Sequence, residues 1–215
     1  MRLTLILLTS LIVLHSCSDD VTDRIVDNSS IGVQKIETPN KAKRRLIIQE
    51  LKTLQAVFSS QDKERIADVF LFPLAATKLE VLIDDSSYSR QLEKNGNKIP
   101  RSIFIDFYSQ LHANLQLPEI NEIFRFIDPQ GLLQKDTVKI DLPAQNEPCY
   151  KYYSINIEED VATLAFGNNS NRDYKSTKVT TDLGEDPDEY CEYASFRVFQ
   201  FKNKKLLFVK HSAAG

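Results

Sequence analysis

The chain has 215 residues, 42% hydrophobic and 27% charged, which suits one domain of ordinary size with its own core and a linker. Its net charge of −3 offers no broad attraction to polyphosphate and argues against nucleic acid as a partner. It carries no phosphate-binding loop, dinucleotide fingerprint or nucleophile elbow, so no cofactor is expected.

The first element is a leader. Residues 1–16 hold one basic residue, Arg2, no acid, and an apolar run from Leu3 to Leu14. That run is too short to cross a hydrocarbon layer of about 30 Å, so it reads as a secretory signal rather than a short uncleaved anchor. It ends in Leu14-His15-Ser16-Cys17, which resembles the bacterial lipobox, with His15 departing from the usual small spacer. The Ser18-Asp19-Asp20 that follows resembles the acidic surface-export signal of lipoproteins of Bacteroidota. The resemblance implies that Cys17 becomes the lipidated N-terminus of a protein anchored to the outer membrane, facing the periplasm or the surface, without spanning the bilayer. With Cys17 so used, Cys149 and Cys191 remain in an oxidising compartment and are expected to form one disulfide. Closing that loop contributes on the order of 4 kcal/mol in the chain-entropy model.

Residues 17–40 read as the lipidated cysteine and a flexible tether, acidic and without helical or strand period, spanning roughly 25 Å. A single domain is expected over 41–215. Ile47, Leu51, Leu54 and Phe58 recur at helical spacing and predict a helix from about Lys41 to Ser59. The basic run Lys41-Ala42-Lys43-Arg44-Arg45 reads as a solvated end. A second helix is expected from about Asp62 to Phe70, a strand over 78–83, a polar loop over 86–99, and a third helix from about Pro100 to Leu115. Its inner stripe is Phe104, Phe107, Leu111 and Leu115. Residues 119–127 are open between helix and strand.

After Asp128-Pro129-Gln130-Gly131 the pattern turns to strands: 137–142, 149–157, 161–166, a brief one at 178–180, and a hairpin of 192–201 with 205–211. In the second of these, Tyr153, Ile155 and Ile157 share one face and Tyr150, Tyr152 and Ser154 the other. Helices first and antiparallel strands afterwards give an α+β class, with the helices packed on an antiparallel sheet whose curvature is implied only by the family resemblance that follows.

Three stretches carry a family resemblance: Leu51 to Ala67, a helix, polar break and second helix start; Val69-Phe70-Leu71-Phe72-Pro73-Leu74; and the closing hairpin, Ser195 to Phe201 with Leu206 to Lys210. The domain resembles the nuclear-transport-factor-2-like, cystatin-like superfamily. The resemblance implies a curved sheet around a helix and a conical pocket, in which some members isomerise, hydrate or dehydrate small molecules.

In such a cone Phe104, Phe107, Leu111 and Tyr153 would line the pocket. An enzyme of this type uses a carboxylate whose pKa an apolar wall raises, or a histidine as base. The weak candidates are His112, Asp106 and Asp68, with Asp84 and Asp141 also open to that part. His211, near the C-terminus, reads as a surface residue. No metal site is expected, because two exported histidines without ligand spacing cannot build a three-histidine zinc centre. The acidic tip Asp182, Glu185, Asp186, Asp188 and Glu189 lacks the spacing of a helix-loop-helix calcium loop. The leading expectation is a lipid-anchored envelope protein that binds a small molecule or a protein partner without catalysis. The alternative is an isomerase or hydratase working in the cone.

Overall fold

The computed structural model describes residues 39–143, 147–171 and 191–215, which belong to one compact unit. The leader, Cys17, most of the tether, the strand expected at 178–180 and the acidic tip lie outside the described residues.

Helix α1 (Pro39–Ser59) buries Ile47, Ile48, Leu51, Leu54 and Phe58. Its first turn has no acid, and Lys41, Lys43, Arg44 and Arg45 crowd the positive end of its dipole. Its buried face must therefore hold it. Arg44 is drawn into structure: its guanidinium donates to the Leu132 carbonyl at 2.5 Å and to the Lys135 carbonyl, and it pairs with Asp136 at 2.8 Å. Helix α2 (Lys63–Ala67) starts at Asp62, whose carboxylate accepts from the Glu64 and Arg65 amides.

Strand β1 (Leu74–Ala75) pairs antiparallel with β2 (Lys98–Ile99). The strand expected over 78–83 does not form. Ala76–Lys78 is a 3-10 turn, and Glu80 has a left-handed φ of 49°, which interrupts any extended run. The expected polar loop instead holds α3 (Ser86–Lys94), capped by Asp85 through the Ser87 and Tyr88 amides. Only Tyr88 is fully buried there, so the apolar period is too sparse to read. The single helix expected over 100–115 is two, α4 (Arg101–Asp106) and α5 (Tyr108–Asn114), separated at Phe107 (φ −105°, ψ 24°). Helix α6 (Pro118–Phe126) resolves the ambiguous stretch, with proline in its first turn, and the 3-10 segment Pro129–Leu133 leads to the sheet.

Five strands follow, β3 (Thr137–Leu142), β4 (Cys149–Glu158), β5 (Val161–Ser170), β6 (Tyr193–Lys202) and β7 (Lys205–Ala214), each antiparallel to its neighbour in sequence. The β6–β7 turn is Asn203-Lys204, both with positive φ, as a two-residue hairpin requires. A bulge interrupts the β6–β7 register between Val198 and Phe199. Helix α1 packs on β7 and α6 on β4 and β5, so helices cover one face, where Ile155, Leu164, Phe199 and Phe208 are buried. After α2 the chain runs along β7: the Phe208 amide donates to the Val69 carbonyl at 2.9 Å. On β5, a Cβ added at Gly167 would stand 2.0 Å from the Tyr193 carbonyl oxygen and 2.8 Å from the Tyr152 ring, so only glycine fits.

The fold is α+β with a five-stranded antiparallel sheet. The expected disulfide is present: Cys149, the first residue of β4, joins Cys191, just before β6, with Cα atoms 5.4 Å apart. No helix among the described residues is long and apolar enough to cross a membrane.

Candidate functional site

Strand alternation places Ser195, Arg197 and Phe199 of β6 on the helix-covered face. Arg197 is fully buried, and its cross-strand partner is His211 of β7. Its Nε and Nη2 donate to the Leu115 carbonyl at 3.1 and 3.0 Å, and Nη2 also to Gln116 Oε1 at 3.0 Å. Nη1 donates to the Ser195 carbonyl at 3.3 Å, and the guanidinium lies 4.5 Å from the Phe166 ring centre. Leu115 is the C-cap of α5, so the charge sits on the negative end of a helix dipole. Gln116 adopts a left-handed φ of 50° there, and its Oε1 also accepts from the Tyr193 hydroxyl at 3.1 Å. Burial lowers the Arg197 pKa to about 10, with the charges of Tyr193 and Glu119 opposing, so it stays protonated at neutral pH.

His211 is 4% exposed, contrary to the surface position expected. Its Nδ1 lies 2.6 Å from the Leu79 carbonyl, which can only accept, so the proton sits on Nδ1. Nε2 is then an acceptor, and the Ser195 hydroxyl donates to it at 3.1 Å. Burial lowers the His211 pKa, helped by Arg197 and opposed by the Leu79 hydrogen bond and Glu80. The pair has the hydrogen bond of a serine activated by a base, with a carbonyl where a carboxylate would orient the imidazole. Ser195 has no exposed surface, so the hydroxyl meets no substrate. The network instead ties three parts together: Arg197 holds the α5 end to the sheet, and His211 holds Leu79 to β7. The Ala213 amide adds a bond to the Glu80 carboxylate at 3.2 Å.

Phe104, Phe107, Leu111 and Tyr153, expected to line a pocket, are buried, and all four belong to the core. The Phe104 ring lies 4.6 Å from Phe70 and 5.4 Å from Phe72; Phe107 lies 5.2 Å from Tyr88. Tyr153 stacks on Phe126 at 5.3 Å, and its hydroxyl donates to Glu119 Oε2 at 3.2 Å. Burial and that carboxylate push the Tyr153 pKa up to about 12. Aromatic rings from several elements thus meet around these four side chains. The buried hydroxyls of Tyr88 and Tyr108 have no partner among the described residues.

The other candidates do not converge. His112 is half-buried on α5 beside Tyr108, with ring centres 5.2 Å apart, and burial lowers its pKa. Asp106 is exposed on α4. Asp68 is exposed and pairs with Arg101 at 2.9 Å, which also takes Glu64 at 2.5 Å. Asp84 is exposed, and Asp141 is exposed and pairs with Lys139 at 3.0 Å. Among the described residues no hydrogen bond or ion pair links His112 to any of these, and no His, Cys, Asp and Glu cluster could hold a metal ion. The buried Ser195, Arg197 and His211 are the residues that sequence reading missed. For β6 the signal was present, because Ser195 and Arg197 alternate in phase with Phe199 and Phe201. Compared with protein-family models, curated proteins and solved structures, the chain matches none.

Proposed function

We propose that the chain is a lipid-anchored cell-envelope protein, held at the outer membrane through Cys17, that works without catalysis by binding a protein partner. We also assign its fold to the cone-shaped, cystatin-like type, which the meander with helices on one face supports. The observation that carries the choice of partner is the packing of Phe104, Phe107 and Leu111 against neighbouring side chains, which leaves a small ligand no chamber at that place. The segment along β7 turns apolar side chains outward instead: Leu71 is 54% and Leu82 91% exposed.

Metabolic labelling with an alkyne fatty acid tests the anchor. The native chain takes up label and Cys17→Ala does not; a labelled Cys17→Ala protein refutes the assignment. Native-state sizing of detergent-extracted envelope tests the partner. The native chain runs in a complex that Leu71→Asp with Leu82→Asp weakens; a lone monomer in native extracts rejects the reading.

A further inference from the structure

We infer that the β3 edge of the sheet is an interface between two copies of this chain, paired antiparallel about a two-fold axis at Ile140. Strand β3 is the last in the sheet order, with β4 its one neighbour among the described residues. The direction of its free backbone groups follows from one bond. The Ile157 amide donates to the Asp136 carbonyl at 2.8 Å, and Thr137 lies opposite Asn156, so Asp136 and Ile157 form a hydrogen-bonded pair. Such pairs alternate along an antiparallel ladder. Val138, Ile140 and Leu142 therefore bond to β4, while Thr137, Lys139 and Asp141 turn their N–H and C=O groups away from it. No backbone hydrogen bond among the described residues takes those groups up. They are a template for a further strand.

The side chains decide which strand. Charges and a proline on an edge ordinarily forbid pairing, and Lys139, Asp141 and Pro143 are residues of that kind. Here, however, the charge pattern is complementary to itself. A second β3 can pair only where outward-turned residues meet outward-turned residues, since those alone have free groups. Centred on Lys139, such a pairing sets lysine against lysine; centred on Asp141, it sets aspartate against aspartate. Centred on Ile140, it sets Lys139 opposite Asp141 of the second copy and Asp141 opposite its Lys139, so both contacts join opposite charges. The two side chains already share one face, where they pair at 3.0 Å and are exposed. The other face agrees. Val138, Ile140 and Leu142 are only partly buried against the core. The same register sets Val138 opposite Leu142 of the second copy and Ile140 opposite its own counterpart, which covers the remainder. Pro143, with no N–H to give, falls opposite Thr137, where the ladder stops. This surface is separate from the partner reading above, because Leu71 and Leu82 lie along β7, at the other edge of the sheet.

The test is sedimentation equilibrium of the purified full-length chain in density-matched detergent, where the native chain should form a reversible dimer. Lys139→Asp makes both cross-strand contacts acid against acid, and Asp141→Lys makes both base against base. Each variant alone should dimerise more weakly by at least on the order of tenfold. Mixed, the two variants again bring opposite charges together at both contacts, so they should form a mixed dimer about as tightly as the native chain dimerises. Lys139→Asp with Asp141→Lys in one chain should dimerise as well. Both rescues require folded protein, so they separate lost pairing from lost folding. A native chain that stays monomeric overturns the proposal, as do single variants that dimerise like the native chain or rescues that both fail. Leu71→Asp with Leu82→Asp should leave this dimer intact; its loss there moves the contact to the β7 edge and also overturns the assignment. The readout needs neither lipid on Cys17 nor an envelope partner, so the two readings fail separately.

Discussion

The two ends of the core are built on opposite terms. At one end Phe70, Phe72, Phe104, Phe199 and Phe208 pack ring on ring, with centres 4.5 to 6.2 Å apart. At the other, a few strand residues away on the same sheet, Ser195, Arg197 and His211 are buried through directed hydrogen bonds to Leu115, Gln116 and Leu79. Ring packing is non-directional and scales with area, so it accepts repacking. A buried cation is stable only while each carbonyl stays in place, so it fixes the α5 end against β6 at the cost of tolerance.

Substitutions to alanine should not separate the two ends. Phe104→Ala and Arg197→Ala should each cost about 3–5 kcal/mol in urea unfolding, one by a cavity and the other by orphaned acceptors plus lost volume. Conservative changes should. Phe104→Leu is expected to cost about 1–1.5 kcal/mol, whereas Arg197→Met, similar in length, should cost about 2–3 kcal/mol because the Leu115 carbonyl loses both guanidinium donors and Gln116 and Ser195 each lose one. Equal costs for these two would erase the contrast.

Next in size is the disulfide, which closes a 42-residue separation beside the polar end. Cys149→Ser with Cys191→Ser should lower stability by about 3–4 kcal/mol. Hydrogen exchange should rise more at Tyr193 and Ser195 than at Phe208 if the crosslink serves the polar end in particular. Uniform acceleration would show that it stabilises the domain only as a whole.

A smaller effect is a pH dependence. The unfolded His211 protonates around its ordinary pKa of 6.5, and the folded one only below that. Its contribution is complete above pH 6.5 and is lost as the pH falls from there through the lowered folded value. His112, also lowered by burial, acts in the same direction. His211→Gln should therefore flatten the acid limb in part, and His211→Gln with His112→Gln further. An unchanged acid limb in both would remove the charge argument. The smallest expected difference lies between two phenols. Tyr153→Phe loses a hydrogen bond to Glu119 and should cost about 1 kcal/mol. Tyr88→Phe, which removes a buried hydroxyl without a partner among the described residues, should be neutral or slightly stabilising.

Much of this architecture is legible in the residues. The apolar period of α1, the alternation of β4 and the hairpin around Asn203-Lys204 follow from elementary patterns, and the α+β order with them. His211 is not legible, for a definite reason. Counting by twos from Leu206 and Phe208 puts Lys210 inward and His211 outward. The bulge between Val198 and Phe199 breaks the count, so Phe199 faces Phe208 while Arg197 faces His211, three residues farther on. The helix break at Phe107 is equally hidden, because Phe104, Phe107 and Leu111 keep helical spacing across it. Around Phe104 and Phe107, spacing names the inward side chains but not that rings from Phe70, Phe72 and Tyr88 meet them.

The strand order carries a consequence for how the chain assembles. Each strand pairs with its neighbour in sequence, and β4–β5 and β6–β7 are joined by two-residue turns, so both hairpins can close locally and early. The β5–β6 seam is different, since residues 171–192 intervene in the sequence and the ends must be brought together across a much longer separation. That seam carries Gly167 against the Tyr193 carbonyl, and the crosslink from Cys149 to Cys191 tethers the two hairpins next to it. Formed before the hairpins meet, the crosslink turns the slowest pairing into a short search, so an oxidised chain should refold faster than a reduced one.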